Sequence, residues 1–160
     1  MRLLTLLGTL ALGFVAGKLA TASDARANPG DTMRPQGLMD YRWEARPVLV
    51  FAPSEDAPLL VAQRAVFAAA AEGLTERDIV VHTVLPDRVT PDLGTLPQEE
   101  APALRARFRV APDAFAVILV GKDGTQKLRE DTVLTTDRLF ATIDAMPMRR
   151  REMRDEGAAQ

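Results

Sequence analysis

Val48–Ala52, "VLVFA", is apolar at every position. A strand with one face in water alternates apolar and polar residues; a strand covered on both faces does not need to. This run therefore demands a sheet with material packed on both sides. "DIVVHTVL" (Asp78–Leu85) repeats the pattern with β-branched residues, and between the two lies "APLLVAQRAVFAAAAEG" (Ala57–Gly73), a helix-forming stretch. Two parallel strands joined through a helix make a right-handed βαβ crossover.

The edges of these elements carry their own signals. Pro47 suits the first residue of the strand and Pro53 its end. Pro58 falls in the first helical turn, where no N–H is missed. Glu55 and Asp56 precede it at the positive end of the helix dipole, with Ser54 beside them as a cap. Gly73 supplies a left-handed stop. "PDRVTPDLGTLPQEE" (Pro86–Glu100) reads as a Pro-rich loop, followed by a short helix over Pro102–Phe108. Ala114–Val120 and Thr125–Arg129 form a hairpin about "KDG", because Asp-Gly is a strong hairpin turn. Thr136 caps a last helix that turns Leu139, Phe140, Ile143 and Met146 inward. Trp43, the only tryptophan, is expected to cover an edge of the core.

The order is β-α-β-α-β-β-α. This predicts an α/β, thioredoxin-like three-layer fold on a four-stranded mixed sheet in the order two-one-three-four, with strand three antiparallel to strand one. Helices one and three would cover one face and helix two the other. Pro112 is the candidate for the proline that this arrangement places before strand three; its isomer is left open.

The first residues have a different character. Met1-Arg2 is followed by the apolar run Leu3–Ala16 and by the small-residue sites "ATA" (Ala20–Ala22) and "ARA" (Ala25–Ala27). That is the pattern of a cleaved secretory signal peptide. The run of about 14 residues falls short of the roughly 20 that a spanning helix needs, which argues against an uncleaved anchor. The expected organisation is a signal peptide at 1–27, a linker at 28–40, a domain at 41–147 and a charged tail at 148–160. An exported, periplasmic protein follows from it. With 160 residues the chain can bury a core without staples, and it contains no cysteine. A net charge of −2 gives no basic footprint for nucleic acid.

"RPVLVFAPSEDAP", "RDIVV", "LRARFRVAPDAFAVILVGKDGTQKLRED" and "LFATIDAMPMRRREMR" together resemble the bacterial domain of unknown function 4174, over roughly Tyr41 to Arg154. The resemblance implies an exported, thioredoxin-like protein. It also implies kinship with domains of animal extracellular-matrix proteins of the sushi-repeat type. It implies no particular activity.

The fold invites thiol chemistry at the junction of strand one and helix one, where a helix N-terminus lowers a thiolate pKa. This chain has "SEDAP" there and no cysteine anywhere, so thiol–disulfide exchange and thiol peroxidation are excluded. Two readings of Ser54, Glu55 and Asp56 remain. One is capping and dipole compensation; the other is a ligand site completed by Glu130 and Asp131. No loop with calcium-ligand spacing is present, so no metal site is expected. His82 is the only histidine and lacks the partners that a zinc site needs, so it is read as structural. "GKDG" lacks the spacing of a phosphate loop. No nucleophile elbow surrounds Ser54. No catalytic residue and no cofactor is assigned.

Arg149, Arg150, Arg151 and Arg154 form the one unusual charge cluster. They read either as a solvated extension or as a docking segment for an acidic partner or anionic headgroups, with Met148 and Met153 adding adaptable contacts. The expected role is non-enzymatic binding of a protein or small ligand. The alternative is an enzyme of non-thiol chemistry that uses carboxylates at the strand-one to helix-one loop.

Overall fold

The computed structural model describes residues 37–94 and 100–158. The expected signal peptide and most of the expected linker lie outside the described residues. A 3-10 turn, Leu38–Tyr41, opens the described chain and buries Leu38 and Tyr41. The domain therefore begins a few residues before 41.

Strand β1 (Arg46–Phe51) is buried at all six positions. It pairs parallel with β2 (Ile79–Val84) and antiparallel with β4 (Ala116–Val120). Alternation of side chains along β1 divides the core in two. Val48 and Val50 meet Val81, Val117 and Leu119 under helices α1 (Pro58–Ala68), α2 (Ala71–Glu76) and α4 (Thr136–Asp144). Leu49 and Phe51 meet Ile118 and Val120 under α3 (Ala101–Phe108) and the 3-10 turn. The layers are thus helix, sheet, helix.

The sheet departs from expectation. It has five strands in the order β3-β2-β1-β4-β5, not four in the order two-one-three-four. The added strand is β3, Val89–Leu93, taken from the stretch read as a loop. It pairs antiparallel with β2 through a register shift at Val81/His82. Pro91 is tolerated because β3 lies at the sheet edge, where one side of the strand needs no ladder donor. Strand β5 (Gln126–Glu130) forms the other edge.

Three local readings are corrected as well. The first helix is not continuous to Gly73; it breaks at Ala69–Ala70 and resumes as α2. Gly73 is inside α2, where a Cβ would stand 2.9 Å from the Phe140 ring, so the glycine permits close approach of α4. The left-handed residue that ends this segment is Asp78, at φ 51. The cap of α4 is Thr135, whose hydroxyl accepts from the Arg138 N–H; Thr136 is the first helical residue.

Trp43 does not cover the core. It is 58% exposed at φ 70, and Tyr41 takes the buried position. Tyr41 packs against His82, its hydroxyl 3.1 Å from Nε2. His82 is fully buried in the middle of β2, and burial pulls its pKa down to about 4. No peptide bond among the described residues is cis, that of Pro112 included.

The expected charged tail is a helix, α5 (Pro147–Ala158). Pro147 starts it, as proline can in a first turn. No helix among the described residues is long and apolar enough to cross a membrane.

Candidate functional site

The loop after β1 places Ser54, Glu55 and Asp56 in solvent. None of them caps α1 through its side chain; the N-cap is Ala57 and makes no side-chain bond. The Ser54 hydroxyl and the local backbone hold the Asp56 carboxyl below its ordinary range. Glu55 instead reaches across to cations. It accepts from Arg64 Nη1 at 2.7 Å and from Arg88 Nη2 at 3.3 Å. The Arg64 hydrogen bond is the main reason its pKa is lowered.

Arg64 is the centre of this arrangement. It rises from α1, where it is the only charged residue between Ala57 and Ala71. Its Nε donates to Asp92 Oδ1 at 3.2 Å and its Nη2 to Thr83 Oγ1 at 3.2 Å. The Thr83 hydroxyl then donates to Asp92 Oδ2 at 2.5 Å. One guanidinium thus joins the β1–α1 loop, the end of β2 and the edge strand β3. Beside it opens a cavity of about 250 Å³. Val50, Phe67, Leu74, Val81 and Leu93 form apolar walls, and Arg64 and Asp92 supply the polar edge.

The opposite face of the sheet holds the same strand ends in place. Arg105, on α3, is 5% exposed. Its Nη2 donates to Ala52 O at 2.5 Å and to Val84 O at 2.9 Å, and its Nη1 to Ala111 O at 2.6 Å. Burial lowers its pKa below that of an ordinary arginine. The side chain ties the exit of β1 to the exit of β2.

Glu130 and Asp131 are not brought into this site. Glu130 pairs with Arg138 on α4, and Asp131 with Arg129 at 3.1 Å. Neither lines the cavity beside Arg64, and the cations that bind Glu55 are paired elsewhere, Arg64 with Asp92 and Arg88 with Asp87. The described residues contain no group of three or more carboxylate or histidine side chains placed to hold a metal ion.

A second cluster lies at the other end of β1. Arg46, 1% exposed, donates through Nη2 to both Glu152 oxygens, at 3.0 and 2.9 Å. Lys122 Nζ reaches Glu152 at 2.9 Å and Asp78 at 2.8 Å. Arg149 is also 1% exposed and donates to Glu76 at 2.9 Å. Of the four arginines in the charge cluster, only Arg150, Arg151 and Arg154 face solvent; Arg149 is turned inward.

Sequence reasoning missed Thr83, Arg88, Asp92 and Arg64. The solitary charge of Arg64 in an apolar helix was a usable signal. Asp92 had none while its segment was read as a loop.

A protein-family model described as "Domain of unknown function (DUF4174)" matches residues 37–152. Among solved structures, the chain is similar to the reduced 2-Cys peroxiredoxin of Plasmodium vivax, at 12% identity and a TM-score of 0.56, over 71% of this chain and 84% of that one. It is also similar to Plasmodium yoelii Prx1a, at 14% identity and a TM-score of 0.51, over 71% and 80%. Plasmodium yoelii thioredoxin peroxidase I aligns at 15% identity and a TM-score of 0.51, over 70% and 78%. At these identities the likeness is one of fold.

Proposed function

The chain belongs to the DUF4174 family of thioredoxin-like domains, and from that premise we propose that it is an exported, non-enzymatic binding protein whose ligand enters the cavity beside Arg64. The observation that carries the non-enzymatic half is the missing thiol. One similar structure is named a 2-Cys peroxiredoxin and another a thioredoxin peroxidase; the nucleophile of thiol chemistry is a cysteine thiolate, and this chain has no cysteine. The carboxylate alternative is weak at Glu55, because two arginines hold it ionised and occupied, whereas a general base works best with a pKa near the working pH.

The ligand follows from the lining. One carboxylate, Asp92, and one guanidinium, Arg64, balance at the polar edge, so net charge gives no preference. The walls are apolar, and binding sites of this kind combine apolar walls with a few polar groups that orient the ligand. The fitting class is a small, uncharged, mostly apolar molecule with one hydrogen-bonding end. Export is supported by the N-terminal pattern of Arg2, the apolar run Leu3–Ala16 and the "ARA" site.

2-Naphthol is a suitable probe. Its titration should shift the amide NMR signals of Phe67, Leu74, Val81 and Leu93. Ala71→Phe, which projects a ring into the cavity from its exposed wall, should weaken binding at least tenfold. Unshifted signals, or equal affinity in the variant, would end the pocket reading. Export is checked separately by N-terminal sequencing of protein from a periplasmic extract; an intact Met1 on all of it would remove that half.

A further inference from the structure

The cluster at the other end of β1 raises a question that the cavity does not. Arg46 is a charged side chain with almost no exposure, placed at the start of the central strand, and its buried Nε has no hydrogen-bond partner. Buried ion pairs are poor devices for stability, since apolar residues of similar volume commonly do as well. Arg46 and Lys122 converge on one carboxylate, that of Glu152. A guanidinium and an ammonium on a shared carboxylate are the groups that recognise an anion.

Along α5, the helix that delivers Glu152, only Arg149 is buried. The helix is fastened through few side chains, Arg149 to Glu76 and Glu152 to Arg46 and Lys122, so a competing carboxylate has one ionic seat to contest rather than an apolar face. Next to the seat is a further cavity of about 220 Å³, whose lining includes Arg46, Lys122, Met146, Met148 and the pair of Lys127 with Asp123 at 2.6 Å. The backbone N–H of Trp43 donates to the carbonyl of Lys122 at 2.8 Å. Trp43 is an exposed aromatic in a left-handed conformation that bulky residues avoid. Strain of this kind gathers at functional positions.

We propose that Arg46 and Lys122 form a seat for a carboxylate of an acidic peptide, and that Glu152 on α5 fills this seat from within the chain until such a peptide displaces it. The site lies at the opposite end of β1 from Glu55 and does not depend on the ligand pocket. The extra cavity takes the aliphatic stems of the peptide's side chains beside Met146 and Met148.

The test uses the full chain and an acetylated, amidated tetraglutamate peptide, with calorimetry and Trp43 fluorescence as readouts. Glu152→Gln vacates the seat's charge while keeping the side chain's shape. It should bind the peptide at least tenfold more tightly than the unaltered chain at low salt. Adding Lys122→Gln should remove that gain, and so should about 0.5 M salt, at which the screening length is only a few ångströms. Should Glu152→Gln lower the melting temperature, Glu152→Asp, which keeps the charge but draws it back from Arg46, must show a smaller gain in the same direction. Equal affinity in the unaltered chain and Glu152→Gln overturns the proposal. So does a gain that survives Lys122→Gln, which would place the peptide on Arg150, Arg151 or Arg154. Equal displacement of the peptide by acetate at matched carboxylate concentration overturns the peptide as the ligand.

Discussion

The two ends of β1 are built from the same chemistry and placed in different solvents. At the upper end, Arg64 gathers Glu55 and Asp92, all three partly open to water. At the lower end, Arg46 and Arg149 are almost wholly enclosed, and their carboxylates reach in from α5 and α2. Water screens the upper pairs and pays little attention to their loss. Below, a missing partner leaves a charge with no water to receive it. The contrast teaches that an ion pair's position, more than its length, sets what its removal does.

Arg46→Ala gives the largest expected effect. It leaves Glu152 half-buried with Lys122 and the more distant Arg149, at 3.8 Å, and empties the start of β1. A loss of about 3–5 kcal/mol is expected, as for the removal of one partner from a buried pair. Urea denaturation measures it; a loss below about 1 kcal/mol would erase the distinction between the two ends.

His82, midway between them, gives a pH-dependent effect of similar size. Its folded pKa is about 4, depressed from 6.5 by burial. Between those values the unfolded chain carries more protons than the folded one, so stability falls as pH falls. The loss begins near pH 6.5, is complete near pH 4, and amounts to about 3 kcal/mol at most. His82→Leu should remove this dependence from a series of melts across that range. A slope that persists unchanged would assign the acid sensitivity to the carboxylates of the two clusters.

The smallest effect is expected at the upper end. Glu55→Gln breaks pairs with Arg64 and Arg88 that are open to solvent, and should cost at most about 1 kcal/mol. That cost should shrink further in 0.5 M salt. A larger, salt-independent loss in chemical denaturation would show that the upper network is as enclosed in its energetics as the lower one.

The fold's centre was legible because β1, β2 and β4 declare themselves by apolar runs, broken in β2 only by His82 and Thr83. Edge strand β3 does not. "VTPDL" contains a proline and is partly exposed throughout, so only its pairing with β2 makes it a strand. Trp43 and Tyr41 were told apart by neither size nor spacing: both are aromatic, and the left-handed turn at Trp43 decides which one faces water. The site was half legible. Glu55 could be picked out from the strand-to-helix break, but Arg64 lies nine residues on and Asp92 on the unread strand. The reading of 148–160 as a solvated extension holds for Arg150, Arg151 and Arg154 but missed the helix and the inward turn of Arg149 and Glu152, for a similar reason. Arg46 stands 106 residues from Glu152, and charge density in a short window says nothing about a distant partner.

Arg105 has a consequence for the rigidity of the sheet. By binding Ala52 O and Val84 O at once, it fixes the spacing between the ends of β1 and β2 and denies them the freedom to splay. Strand β3 is fastened differently: it is laddered on one side only, interrupted by Pro91, and tied at the single residue Asp92 to Arg64 and Thr83. The two strand ends at the sheet's centre are riveted through the backbone, whereas its edge hangs on one side chain. Amide hydrogen exchange should find Val89–Leu93 opening before the β1–β2 ladder.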